Sequence, residues 1–156
     1  MNAPQHAYNK SILIAVDASD NARRAVSYVA QLLEGHPAFT VTLMHVINEP
    51  EEDYFSTPEE QAKWVAEYRQ KIDAVMDEHE ELLIQGGFAP SAVSKSIFTR
   101  FCPSLAECIL SEQHKMAYDT VVVGRQGLSR SEEFLFGSVS SKIVTHAKNC
   151  TVWVVA

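Results

Sequence analysis

Short apolar runs alternate along this chain with longer amphipathic stretches. Ser11 to Val16, SILIAV, is a continuous run of aliphatic and β-branched residues, which predicts a strand buried on both faces and ending at Asp17. Ser19 is placed to cap a helix whose inward stripe is Ala22, Ala25, Val26, Val29, Ala30 and Leu33, with Gly35 and Pro37 as its stop. Phe39 to Ile47, FTVTLMHVI, predicts a second strand, ended by Asn48 and Pro50. An acidic link, Glu49 to Pro58, leads to a long helical pattern that puts Trp64, Tyr68, Ile72, Val75, Met76, His79, Leu82 and Leu83 on one side and stops at Gly86 and Gly87. Ala92 to Thr99 predicts a more polar third strand, suited to a sheet edge. Pro103 then opens a helix facing inward with Leu105, Ala106, Ile109 and Leu110. Thr120 to Val123 is a fourth strand, Gly137 to Ala147 a last helix and Thr151 to Val155 a terminal strand.

Strands that alternate with helices at this spacing predict an α/β fold: an open parallel sheet with helices on both faces, joined by right-handed crossovers. No repeat, low-complexity tract or linker divides the chain, so residues 1–156 read as a single domain. Ligands of such sheets sit outside the carboxyl ends of the strands, where the strand order reverses. Asp17 and Gly124 both lie at such ends and share one crevice if the first and fourth strands are neighbours.

Gly124 begins the chain's most specific motif. Two residues separate it from Gly127, nine more separate that from Gly137, and Ser138 follows at the mouth of the last helix. Backbone N–H groups at a loop and a helix N-terminus can grip a phosphate only where side chains leave room for it, which glycine does. The other reading of these glycines is that they serve turns. The loop carries no Lys-Ser or Lys-Thr after its final glycine and is not a P-loop; the first turn, VDASDN, lacks the glycines of a dinucleotide fingerprint. Asp17 likewise has two readings, a ligand contact or a cap for the following turn.

Composition narrows the partners. The net charge of −7 and an isoelectric point near 5.3 oppose non-specific binding to nucleic acid or an anionic membrane. No run approaches the roughly 20 apolar residues that span a bilayer, and the polar N-terminus has no leader-like apolar core. Cys102, Cys108 and Cys150 are odd in number and form no zinc-ligand spacing, so they read as buried free thiols in a reducing, cytoplasmic compartment.

The opening KSILIAVDAS, the TLMHVI strand, and GRQGLSRSEEFLFGSVS followed by a helix and a closing VWVV strand together resemble the universal stress protein family over nearly the whole chain. Gly124, Gly127, Gly137 and Ser138 match every position of the G-x2-G-x9-G-S/T pattern of its ATP-binding branch. The resemblance implies a five-stranded sheet of order 3-2-1-4-5, the adenine nucleotide alpha hydrolase-like arrangement, with ATP and a companion Mg²⁺ at the switch point. It implies that Ala15 and Val16 line the adenine pocket and that Val46 meets the base through its backbone. Asp17 would contact the ribose or a metal-associated oxygen, Val123 and Gly124 would border the ribose, and Gly127, Gly137, Ser138, Val139 and Ser140 would surround the phosphates, with Arg125 beside them. It also implies a homodimer built by the terminal strands Thr151 to Val155; a nucleotide-dependent switch would further be read by a protein partner whose identity the sequence leaves open. The terminal strand's other reading is an interior strand covered by helices. Two features depart from the family pattern: Ala15 stands where relatives often carry proline, and Glu132 and Glu133 bring negative charge into the loop, which Arg125 and Arg130 can balance.

Catalysis finds little support. Phosphoryl transfer needs an oriented water and concentrated positive charge, and no such set stands out. His45, inside a strand, reads as a hydrogen-bonded core residue, and His146 as a partner of its helix's C-terminal end. The expected function is a nucleotide-dependent regulatory module; the alternatives are a slow ATPase or phosphotransferase, and a dimeric interaction module that binds no nucleotide.

Overall fold

The computed structural model describes residues 8–51, 53–125 and 138–156. Five strands, β1 (Ser11–Ala15), β2 (Thr40–Asn48), β3 (Val93–Arg100), β4 (Thr120–Gly124) and β5 (Thr151–Val155), alternate with four α-helices, α1 (Asp20–Leu33), α2 (Pro58–Gln85), α3 (Leu105–Met116) and α4 (Ser138–His146). All strand pairs are parallel, and the sheet order is β3-β2-β1-β4-β5, as expected from the family pattern. Among the described residues no helix is long and apolar enough to cross a membrane.

Strand alternation divides the core in two. Ile12, Ile14, Val41, Leu43, Ile47 and Val122 join α1 and α2 in one cluster, whereas Leu13, Met44, Val46, Val121 and Val123 join α3 and α4 in the other. Each central strand therefore buries both of its faces, which is why β1 and β4 read as unbroken apolar runs. The edges differ. β3 exposes or half-buries most of its residues, and β5 lies at the opposite edge with Val152 to Val155 half-buried, so the reading of β5 as an interior strand is set aside within this chain.

Caps fix the helix starts as the side chains require. Ser19 accepts the Ala22 N–H, Thr57 accepts the Glu60 N–H and Ser104 accepts the Glu107 N–H. Pro103 is thus not the first residue of α3: it precedes the Ser104 cap, because the serine hydroxyl can satisfy a free helix donor and proline has no group that can. Where α1 and α2 end, Gly35 and Gly87 take φ of +71° and +116°, and a Cβ on Gly35 would stand 2.0 Å from the Gly87 carbonyl oxygen.

The cysteines correct a second expectation. Cys102 and Cys108 form a disulfide with Cα atoms 6.4 Å apart, leaving Cys150 as the free thiol. The two lie six positions apart in sequence, but the chain turns into α3 between them and brings the residue before Pro103 against the fourth residue of the helix.

Candidate functional site

β1 and β2 run side by side until the Val16 N–H donates to the Met44 carbonyl at 2.9 Å, after which the chain leaves the sheet. The turn that follows is fixed locally. One carboxylate oxygen of Asp17 accepts the Ser19 N–H at 2.8 Å, and the Ser19 hydroxyl accepts the Ala22 N–H at 3.1 Å. The two readings of Asp17 therefore do not compete, since a capping bond to one oxygen holds the carboxylate at the strand end.

On the other side of the switch point β4 ends at Gly124. A Cβ there would lie 2.8 Å from the backbone carbon of Asn21, so glycine is what lets the end of β4 close on the first turn of α1. Between these strand ends opens a crevice lined by Ala15, Val16, Asp17, Val46, Val123, Gly124 and Val139, seven of the residues singled out from sequence. Its walls also include Met44, His45, Leu105 and Ile109. The helical period places Leu105 and Ile109 on an inward stripe; nothing in a 3.6-residue period distinguishes core from crevice wall.

Of the other designated residues, Arg125, Ser138 and Ser140 are described and adjoin the crevice lining. Arg125 follows Gly124, and its N–H donates to the Val155 carbonyl at 2.8 Å. Ser140, 2% exposed, donates its hydroxyl to the Arg125 carbonyl at 2.8 Å, tying α4 to the end of β4. Ser138 opens α4 and borders a neighbouring hollow with Asn48, Cys102 and Lys142. Gly127, Gly137, Arg130, Glu132 and Glu133 lie outside the described residues.

Two buried histidines support the turn from the α2 side. The His45 Nδ1–H donates to the Val16 carbonyl at 2.6 Å, which leaves Nε2 of the neutral ring to accept the Tyr68 hydroxyl at 3.0 Å. The His79 Nε2–H donates to the next carbonyl, that of Asp17, at 3.2 Å. Burial holds both imidazoles below the ordinary histidine value, against the opposing pull of the carbonyl bonds and the Asp17 charge. Burial, aided by Asp17, also pushes the Tyr68 phenol up. The expectation that His45 is a hydrogen-bonded core residue holds.

An apolar slot at the carboxyl ends of parallel strands, with one carboxylate at its mouth, suits a flat base and a hydroxyl-bearing sugar. Among the described residues that line it the ionisable groups are Asp17 and His45, and none is a lysine or arginine. No group of three or more His, Cys, Asp or Glu side chains stands ready to hold a metal among the described residues.

The sequence model of the universal stress protein family matches residues 9–156. The chain belongs to the universal stress protein family. A putative universal stress protein of Staphylococcus aureus is 28% identical over 148 residues, which cover 94% of this chain and 83% of the relative. Among solved structures, universal stress protein UspA from Lactobacillus plantarum superposes with a TM-score of 0.79 at 21% identity, over 96% of this chain and 99% of that one. A universal stress protein from Archaeoglobus fulgidus in complex with dAMP gives a TM-score of 0.65 at 17% identity, over 94% of this chain and 97% of that one. These likenesses carry the fold, and the dAMP complex shows that one such protein takes an adenine nucleotide.

Proposed function

We propose that this universal stress protein binds ATP in the crevice between β1 and β4 and acts in the cytoplasm as a nucleotide-dependent regulatory module. The observation that carries the reading is the crevice itself, which gathers seven sequence-designated residues from four separate parts of the chain at the switch point. The adenine packs between the apolar walls, with Ala15, Val16 and Val46 against it. The Asp17 carboxylate accepts from the ribose hydroxyls, and Val123 and Gly124 border the sugar. Gly127, Gly137, Ser138, Val139 and Ser140 surround the phosphates, with Arg125 beside them, as the glycine pattern implies. Mg²⁺ arrives on the phosphates, for which its affinity is high. The triphosphate supplies negative charge and a γ-phosphoryl group; the chain's own residues bind and orient it.

Regulation is the first reading because the sequence offers no evident set of groups to orient a water and concentrate positive charge on a transferring phosphoryl group. A slow ATPase completed by a partner's arginine or lysine is the second reading. Under the first, nucleotide changes the protein through its unequal affinity for two states, and a partner protein reads the outcome. The free edge of β5 supplies the homodimer contact.

Calorimetry on nucleotide-stripped protein with ATP, ADP and AMP in the presence of Mg²⁺ tests the assignment. The expected result is binding that prefers ATP and is lost in a still-folded Gly137→Val variant, whose added side chain keeps phosphates from the backbone. A wild-type protein that binds none of the three would leave the interaction module as the better account, and phosphate release in step with binding would favour the ATPase.

A further inference from the structure

Val16 and Asp17 present consecutive backbone carbonyls to the interior after β1 has ended, and each receives an imidazole N–H from a different element, His45 of β2 and His79 of α2. Buried carbonyls require donors, and here the donors are side chains because the sheet has stopped. A cavity of about 180 Å³ lies between this turn and α2, lined by Asp17, Ala18, His45, Tyr68, Ile72 and Val75 among others. Ile72 and Met76 of α2 pack into the core beside Val16, and beyond that packing the polar ties of the turn are two hydrogen bonds, His45 joining it to β2 and His79 joining it to α2.

His79 carries the second half of the argument. It is 4% exposed, and its Nδ1 is buried with no hydrogen-bond partner among the described residues. A leucine would fill that volume without leaving a polar atom unpaired, which costs on the order of 1–3 kcal/mol. What an imidazole does there that leucine cannot is donate to the Asp17 carbonyl. His45 is linked onward in a different way: its ring stacks on Tyr68 at 5.8 Å, Tyr68 meets Trp64 at 5.3 Å, and Trp64 meets Phe55 at 5.7 Å. This run of rings extends along the first turns of α2 and ends in the segment before it.

We propose that His45 and His79 are positioning residues, which clamp the carbonyls of Val16 and Asp17 to β2 and α2 and so aim the Asp17 carboxylate at the nucleotide sugar. The inference rests on the nucleotide reading of the crevice and names what controls it: a displacement of α2 reaches Asp17 through His79 directly and through Tyr68 and His45. Any partner that grips the exposed side of α2 is thereby coupled to nucleotide affinity, and by reciprocity nucleotide changes the affinity for that partner.

The test uses the full chain and two readouts. Ser19 donates its N–H to the Asp17 carboxylate, so the hydrogen exchange of that amide reports on the carboxylate's placement whether or not nucleotide is present. His79→Leu is expected to speed Ser19 exchange and weaken ATP binding, each by about tenfold, as loss of one buried hydrogen bond implies. His79→Gln, whose Nε2 can reach the same carbonyl, restores both. In an Asp17→Asn background the further change His79→Leu leaves ATP affinity where it was, because the group it positions has already been altered. Tyr68→Phe, which keeps the ring and removes the hydroxyl bond to His45, gives a smaller effect of the same sign. Unchanged Ser19 exchange in His79→Leu would overturn the clamp outright, even for a protein that binds no ATP. Wild-type binding together with an equal loss in both backgrounds would show that His79 acts on stability alone.

Discussion

The side chain of Asn48, the last residue of β2, closes a two-bond ring with the backbone of Cys102: its Nδ2 donates to the Cys102 carbonyl at 2.8 Å and its Oδ1 accepts the Cys102 N–H at 2.9 Å. Cys102 is 1% exposed, so both backbone groups depend on this amide. The contact fixes where the chain turns from β3 into α3, and hence where Leu105 and Ile109 meet the crevice. Asn48→Ala is expected to destabilise the fold by about 1–2 kcal/mol, since it leaves two backbone groups without partners. Urea denaturation would show this as a lower midpoint at unchanged slope, and an unchanged midpoint would mean water replaces the amide at no cost.

The disulfide over the start of α3 is the next feature open to measurement. With Cys102 and Cys108 joined and Cys150 free, unfolded but unreduced protein should titrate one thiol, and reduced protein three. Burial pushes the Cys150 thiol up, so its alkylation in the native protein should be slow near neutral pH. Opening so short a loop by Cys108→Ser should cost about 2 kcal/mol on the chain-entropy account. Three thiols in unreduced protein would show that the bond does not form under the conditions used.

Gly124→Ala should strain the join between β4 and α1. The added carbon meets the Asn21 backbone at 2.8 Å, which main-chain atoms cannot yield cheaply, so a loss of about 1–3 kcal/mol is expected. Because Gly124 also borders the crevice, nucleotide affinity should fall with stability; a fully stable variant would place the two segments further apart than the 2.8 Å approach implies.

Acid should weaken the fold through the histidines. Both His45 and His79 are held below their ordinary value of 6.5, so in the interval beneath it the unfolded chain binds protons that the folded chain does not. Stability is therefore full above about pH 6.5 and falls as pH drops through the lowered folded values. The groups facing His79 are Asp17, Glu78 and Arg23, and those facing His45 are Asp17 and Tyr68. Denaturation midpoints between pH 7.5 and 5.5 should decline less steeply in His79→Gln than in the wild type. Parallel declines would assign the effect to other groups.

The β5 edge makes a separate prediction. Thr151 donates its N–H to the Asp119 carbonyl and Val155 accepts the Arg125 N–H, so alternation turns the backbone groups of Val152 and Val154 away from β4. Val154→Pro removes an outward donor and no bond to β4. If homodimers form by strand pairing at this edge, sedimentation should show the variant as a monomer at concentrations where the wild type is a dimer. A variant that stays dimeric would move the interface elsewhere.

What the sequence determined by itself was local. Runs such as Ser11 to Ala15 and Thr120 to Gly124 are buried on both faces, a condition that leaves a strand without alternation, and Ser19 caps its helix through a side chain three residues from the group it satisfies. Asp17 and Gly124 were legible because strand ends and glycines announce themselves over short distances, whereas Ala15, Val16, Val46, Val123 and Val139 were designated through the resemblance to the family. Tertiary structure alone decided the rest. The Cys102–Cys108 bond depends on how the chain enters α3, and the assignment of Leu105 and Ile109 to the crevice depends on where that helix lies against the sheet. His45 and His79 stand 34 residues apart and meet adjacent carbonyls only because β1 and β2 are paired and α2 packs back across them. Periodicity reports which face of an element is buried, since that follows from backbone geometry; it carries no record of which distant atom that face will meet.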